Sequence, residues 1–260
     1  MNLTRDIIIT RYDKGKVKET SDIIVREYPL TIIFNGEELV TLLCSPKSLH
    51  YLALGFLLSE GIIKEKSEIE SINIEEKQEC SLIYIRTCGD RKLSLYEKSK
   101  YSLMKTSSGA ATMDNNFGQE LFIKNHVTIH YKNIIDLMDS FISRSEIFQN
   151  TGGVHSAALA DGDSILLFHE DVGRHNALDK VIGEAFDKGI NYKDKFILTS
   201  GRISSEMLSK AAKRGISVFI SRSAPMDLAL KLGGKINMTI IGFVRGQRMN
   251  IYTGKERVTF

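Results

Sequence analysis

FILTSGRISSEMLSKAAKRGISVFISR, residues 196–222, decides the fold class. Phe196 to Thr199 reads as an apolar strand, Ser204 to Arg214 as a helix, and Ile216 to Ile220 as the next strand. The alternation extends in both directions. Upstream, Ile165 to Phe168 is a strand and Asn176 to Lys188 a helix with Leu178, Val181, Ile182, Ala185 and Phe186 on one face. Further upstream, Asn133 caps a helix carrying Ile134, Leu137, Met138, Phe141 and Ile142. Downstream, a helix follows Pro225, and Met238 to Val244 and Met249 to Tyr252 close the chain as strands. Strands alternating with helices predict an α/β fold with a largely parallel sheet covered on both faces.

The first hundred residues read differently, as strands around one helix. Asp22 to Val25 and Leu30 to Phe34 are strand candidates, Asn35-Gly36 is a hairpin signal, and Glu38 to Cys44 is the return strand. Ser45-Pro46 suits a cap and first helical position, Leu49, Leu52, Ala53, Phe56 and Leu57 form the stripe, and Gly61 stops the helix. Residues 82–86 are one more strand. The stretch 102–120, SLMKTSSGAATMDNNFGQE, is small and polar and reads as a loop. The expected organisation is an N-terminal α+β domain over 1–104, a linker over 105–125 and an α/β domain over 126–260.

Composition narrows the function classes. The 260 residues are 42% hydrophobic and 26% charged, with a net charge of +3. That balance suits a globular chain with a sizeable core and gives no strong basic bias for nucleic acid. No apolar run is long enough to span a bilayer and no signal-peptide pattern opens the chain, so a cytoplasmic protein is expected. Cys44, Cys80 and Cys88 have neither the parity of a disulfide framework nor the spacing of a structural zinc site. Zinc deaminases need H-x-E and a downstream P-C-x-x-C. Here His169 and Glu170 are adjacent and no CxxC occurs, so no metal site is expected. His155, His169 and His175 are better suited to orienting a loop or binding phosphate.

In an open α/β sheet, ligands bind beyond the carboxyl ends of the strands. Four strand ends here run into His169-Glu170-Asp171-Val172-Gly173-Arg174-His175, Ser200-Gly201-Arg202, Ser221-Arg222-Ser223 and Arg245-Gly246-Gln247-Arg248. Glycine admits close backbone approach, and arginine offers forked donors to phosphate. Together they suit a phosphorylated or nucleotide-like ligand. Glu170 and Asp171 can serve as an acid–base pair, or simply fix their loop through Arg174 and backbone amides.

TGGVHSA (151–157), HEDVGRHNALDK (169–180), SGRISSEM (200–207) and GFVRGQRMNIYT (242–253), with SPKSLHYLALGFLLSEGII (45–63), resemble the formate dehydrogenase accessory sulfurtransferase (FdhD) family. The resemblance implies a cytidine deaminase-like three-layer sandwich without its zinc, beside the smaller N-terminal domain. It implies a homodimer that takes sulfur as a persulfide from a cysteine desulfurase. The sulfur passes to a molybdenum (or tungsten) bis-guanylyl-pterin cofactor, a bound substrate, before insertion into the formate dehydrogenase apo-enzyme. The family's cofactor-binding segment maps onto Phe243, Val244, Arg245, Gly246, Gln247 and Arg248. His169, Gly201, Arg202, Ser221 and Arg222 join them as site candidates from the strand-end reading. The family's persulfide cysteine falls on Ala110, and a second cysteine would fall near Met113. Alanine cannot form a persulfide. Three explanations stay open: an introduced change at 110, a natural variant that escorts the cofactor without sulfurating it, or Cys88 standing in for the lost thiol.

Overall fold

The structure is a computed structural model that describes residues 2–89, 122–124 and 127–260. The expected linker apart from 122–124, with Ala110 and Met113 in it, and His126 lie outside the described residues.

The chain opens with a two-stranded hairpin, β1 (Thr4–Asp13) and β2 (Lys16–Val25), which pairs with no other sheet. The register places Ile8, Tyr12, Val17 and Ile23 on one face, and all four are exposed. Sequence reading caught only the last four residues of β2. With both faces wet, neither strand shows the apolar–polar alternation that a half-buried strand requires.

A four-stranded sheet follows, in the order β4-β3-β6-β5: β3 (Tyr28–Phe34), β4 (Glu37–Cys44), β5 (Ile69–Glu76) and β6 (Ser81–Thr87). Asn35 and Gly36 turn β3 into β4 with φ of 49° and 85°, the two left-handed positions that a tight hairpin needs. Helix α1 (Leu49–Glu60) comes next and ends at Gly61 in the left-handed region. Ser45 does not cap α1; Ser48 precedes the helix, and Ser45 is spent on a contact described below. Nine of the twelve α1 residues are buried rather than one stripe, because the helix is sandwiched.

The second half holds a six-stranded sheet in the order β13-β12-β11-β10-β8-β9. Its strands are β8 (His155–Asp161), β9 (Ser164–Asp171), β10 (Phe196–Thr199), β11 (Val218–Ser221), β12 (Thr239–Arg245) and β13 (Arg248–Thr253). Only β10–β11 and β11–β12 are parallel; the other three pairings are antiparallel. The expectation of a largely parallel sheet is therefore corrected to a mixed one. Two of the three antiparallel pairings involve β8, whose sequence HSAALAD is too rich in alanine to read as a strand, and the third is the closing β12–β13 hairpin. Strand β8 runs through the middle of the sheet, buried over Ser156–Ala160.

One face of this sheet carries α4 (Arg174–Asp187), α5 (Ser205–Ala212) and α6 (Asp227–Lys235). The other carries α2 (Tyr131–Ser143) and a short parallel pair, β7 (Ile129–His130) with β14 (Val258–Thr259). The short α3 (Glu146–Thr151) follows α2. His130, not Asn133, caps α2, its ring nitrogen accepting from the Lys132 N–H.

One hydrophobic core runs from Leu30 and Ile32 in β3 through α1 to Leu178 and Ile182 in α4, and on to Ile197 and Phe219 in the large sheet. Where α1 crosses α4, a Cβ added at Gly55 would stand 1.8 Å from the Asp179 carbonyl oxygen, and one at Gly183 would stand 2.0 Å from that of Tyr51. Backbone meets backbone there. No helix among the described residues is long and apolar enough to cross a membrane.

Candidate anion-binding site

The ends of β9, β10, β11 and β12 and the start of β8 meet at one rim of the large sheet. This follows from direction: β8 runs against both β10 and β9, so its first residue lies beside their last. The rim is stitched by its own polar groups. Ser200 N–H donates to the Ser156 carbonyl, and Ser156 N–H donates to Ser200 Oγ at 2.9 Å. Ser221 Oγ donates to the Gly201 carbonyl at 2.7 Å and accepts from Ser223 N–H at 2.9 Å.

A cleft of about 200 Å³ opens here. Its lining combines the apolar Phe141, Ile142 and Phe148, the polar His155, Ser156, Ser200 and Ser223, and the cationic Arg222 and Arg245. Arg245 is aimed by its neighbours: its Nε donates to the Arg222 carbonyl at 3.0 Å, and its guanidinium lies 5.5 Å from the Phe243 ring centroid. Phe243 holds φ at 54°, a left-handed bend beside the bulge that separates Gly242 from Arg245 in the β12 register. Neither arginine pairs with a carboxylate among the described residues.

Next to the cleft stands a second cationic group. Arg174 opens α4 and packs against Gly201, where an added Cβ would meet Arg174 Cβ at 3.0 Å. Its Nε is buried with no hydrogen-bond partner. Burial first, then Arg202, makes its charge costly. His155 Nδ1 lies 3.3 Å from Ser200 Oγ, and burial, then Arg174 and Arg202, hold its pKa below the usual value. His175 is pushed down to about 3 by burial, then by Lys210 and Arg174. Glu206 sits 3.6 Å from its Nε2, too far for a hydrogen bond to reverse that.

The site candidates fall into three groups. Arg222 and Arg245 line the cleft, Phe243 lies under Arg245, and Gly201 and Arg202 stand beside Arg174. Gly246, Gln247 and Arg248 are exposed on the turn after β12. Val244 and Ser221 are buried, the first in the core and the second in the rim stitching. His169 stands apart: Nε2 bonds Glu184 Oε2 at 2.6 Å on the α4 face. Burial, outweighing Glu184, lowers its pKa, so a neutral ring donates to the carboxylate.

Glu170 and Asp171 do not meet as an acid–base pair. Glu170 accepts from the Ile147 and Phe148 N–H groups at the start of α3. Asp171 is fully buried and holds its loop, as the alternative reading required, but through Lys180 rather than Arg174. It also accepts from the N–H groups of Ser45 and Gly173 and from the Asn176 amide. Burial, then Asp171, pushes the Cys44 thiol up to about 12, which makes it inert. Cys88 is exposed at the end of β6, its Sγ 3.6 Å from the Ser67 carbonyl. No three His, Cys, Asp or Glu side chains gather as metal ligands among the described residues.

Sequence reading named Arg174 and Ser200 at strand ends and His155 as loop-orienting or phosphate-binding, but it did not bring the three together at one place. One signal was available for Arg174: the first turn of α4 holds Arg174 and His175 and no acid, against the helix dipole.

The family model described as FdhD/NarQ family matches residues 25–259. The chain belongs to that family. A protein named sulfur carrier protein FdhD from Bacillus licheniformis is 40% identical over 100% of this chain and 98% of its own. Proteins of the same name from Staphylococcus aureus (strain MRSA252) and Bacillus subtilis (strain 168) are each 39% identical over 96% of this chain, and over 94% and 95% of their own. The fold is matched by a crystal structure from Desulfotalea psychrophila described as a formate dehydrogenase accessory protein. Its TM-score is 0.80 at 24% identity, covering 99% of this chain and all of that one. The stretches HEDVGRHNALDK and SGRISSEM, inside the matched residues, supply the Arg174 and Arg202 of the second cationic group.

Proposed function

We propose that this chain serves formate dehydrogenase maturation by holding the molybdenum (or tungsten) bis-guanylyl-pterin cofactor, as substrate, in the rim cleft. The observation that carries the reading is the cleft itself, whose lining joins aromatic side chains with two arginines that have no carboxylate partner among the described residues. The exposed Phe148 offers a surface to a flat guanine or pterin ring. Arg222 and Arg245 offer forked donors to its phosphates. The deaminase-like layering implied by the resemblance belongs to the same reading, with the large sheet between α4–α6 and α2.

The relatives are named sulfur carriers, and we extend that role here with a condition. A cysteine desulfurase would hand its sulfur to a thiolate, and position 110 is alanine. Among the described thiols Cys44 is buried and inert, Cys80 is half-buried and Cys88 exposed, and none lines the cleft, so the cleft supports cofactor escort first and sulfur delivery only once a thiol is supplied there. Cytoplasmic work on the apo-enzyme and a homodimer complete the proposal. A second copy would cover the exposed face of Ile8, Tyr12 and Val17.

Two measurements test it. Guanosine diphosphate, a fragment of the cofactor, should bind the unaltered chain, and Arg245→Ala should weaken it by about 1.5–3 kcal/mol, the cost of a charge-assisted bond. Equal affinity in both proteins would remove the ligand from the cleft. Ala110→Cys should acquire a persulfide when mixed with a cysteine desulfurase and its substrate, while the unaltered chain acquires none.

A further inference from the structure

The second cationic group has no ion-paired carboxylate among the described residues; Glu206 favours the charge on Arg174, but burial and Arg202 oppose it more. Arg202 is close enough to disfavour the charge on Arg174, and Arg174 Nε is buried without an acceptor. Arg174 also stands at the positive end of a 14-residue helix. These three unfavourable effects fall on one spot, and a bound anion relieves all of them. The spot is continuous with the cleft. His155 and Ser200 line the cleft, touch each other, and His155 feels both Arg174 and Arg202. Along the rim the order is Arg245, Arg222, Ser200, His155, with Arg202 just beyond Ser200 in sequence. Neighbouring strands lie about 4.8 Å apart, so the backbones at Arg222 and His155 are roughly 10 Å apart. That is a span for a ligand with more than one phosphoryl group.

We propose that Arg174 and Arg202, with His155 and Ser200, form a second anion subsite that takes the distal phosphoryl group of a diphosphate whose nearer end sits at Arg222 and Arg245. The subsite rests on the cofactor-binding reading above for its ligand class and on the buried, orphaned Arg174 Nε beside His155 and Ser200 for its existence. It makes the rim a reader of diphosphate over monophosphate.

Calorimetric titration with guanosine monophosphate, guanosine diphosphate and inorganic pyrophosphate tests it. Arg202→Gln should weaken the diphosphate and pyrophosphate about tenfold or more and leave the monophosphate within about twofold. Arg174→Gln should do the same, with Arg174→Lys as the charge-keeping control should the glutamine variant melt early. In the unaltered chain, pyrophosphate should raise the His155 pKa in a proton NMR titration, since a bound anion offsets the two guanidiniums. Equal loss of monophosphate and diphosphate, no loss of either, or a His155 titration unmoved by pyrophosphate would each overturn the subsite. If neither guanine nucleotide binds while pyrophosphate still shifts His155, the subsite stands and the guanylyl reading falls. If Arg245→Ala abolishes both nucleotides while Arg202→Gln changes nothing, the reverse holds.

Discussion

Lys180 shows how much one side chain can decide. It is fully buried, pairs with Asp171, and its Nζ also donates to the Ser45 carbonyl at 3.1 Å. Asp171 in turn holds Gly173 and Asn176, the residues on either side of Arg174 and His175. Removing one partner of a buried pair leaves the other uncompensated, at about 3–5 kcal/mol. Lys180→Met should lower the stability measured by urea unfolding by that amount, and Asp171→Asn by a similar one. Replacing both with apolar residues should cost less than either alone, which a double-mutant cycle would read. The sequence presented Asp171 as a possible acid catalyst. It could not show Lys180, nine positions on, folding back beneath it, because two turns of helix bring them together only once β9 is docked.

Among the elements, the α1–α4 crossing sets the geometry of both halves. Gly55 and Gly183 let the helix backbones touch, and Ser59 Oγ bonds Asp179 Oδ1 at 2.6 Å beside them. Gly183→Ala should destabilise the protein by about 3 kcal/mol or more, because the obstacle is backbone and cannot rotate away. Gly234→Ala in α6, where an added Cβ meets nothing, should be neutral or slightly stabilising. A thermal melt of the two variants separates them. The helices were the legible part of this sequence, since α4, α5 and α6 carry caps or stripes that periodicity reveals. The Asn35-Gly36 turn was legible for the same local reason. β8 was not, because its strand character comes from burial between neighbours rather than from side-chain preference. The strand ends could be named from sequence, but only β8's direction explains how His155 joins them and the rim closes around Ser200.

Over the whole molecule, buried histidines tie stability to pH. His175 titrates near 3 in the folded chain against an ordinary value of 6.5, and His50, His155 and His169 are lowered too. Above pH 6.5 folded and unfolded forms of His175 are both neutral and it contributes no pH dependence. Between 6.5 and about 3 the unfolded chain takes up a proton that the folded chain refuses. Stability should therefore fall as pH falls through that window, by up to about 1.4 kcal/mol per pH unit for each histidine that titrates fully. Urea midpoints between pH 7.5 and 4.5 would measure the slope, and His175→Gln should flatten it. A bound phosphate ligand should flatten it as well, by easing protonation of His155.

The glycine crossing carries one more consequence, for the chain's connectivity. Residues 2–89 and 127–260 interlock through α1 and α4, so the peptide link between them is not what holds them together. A chain severed between 89 and 122 should migrate as one particle and come apart only in denaturant, and two fragments expressed side by side should find each other and rebuild the rim.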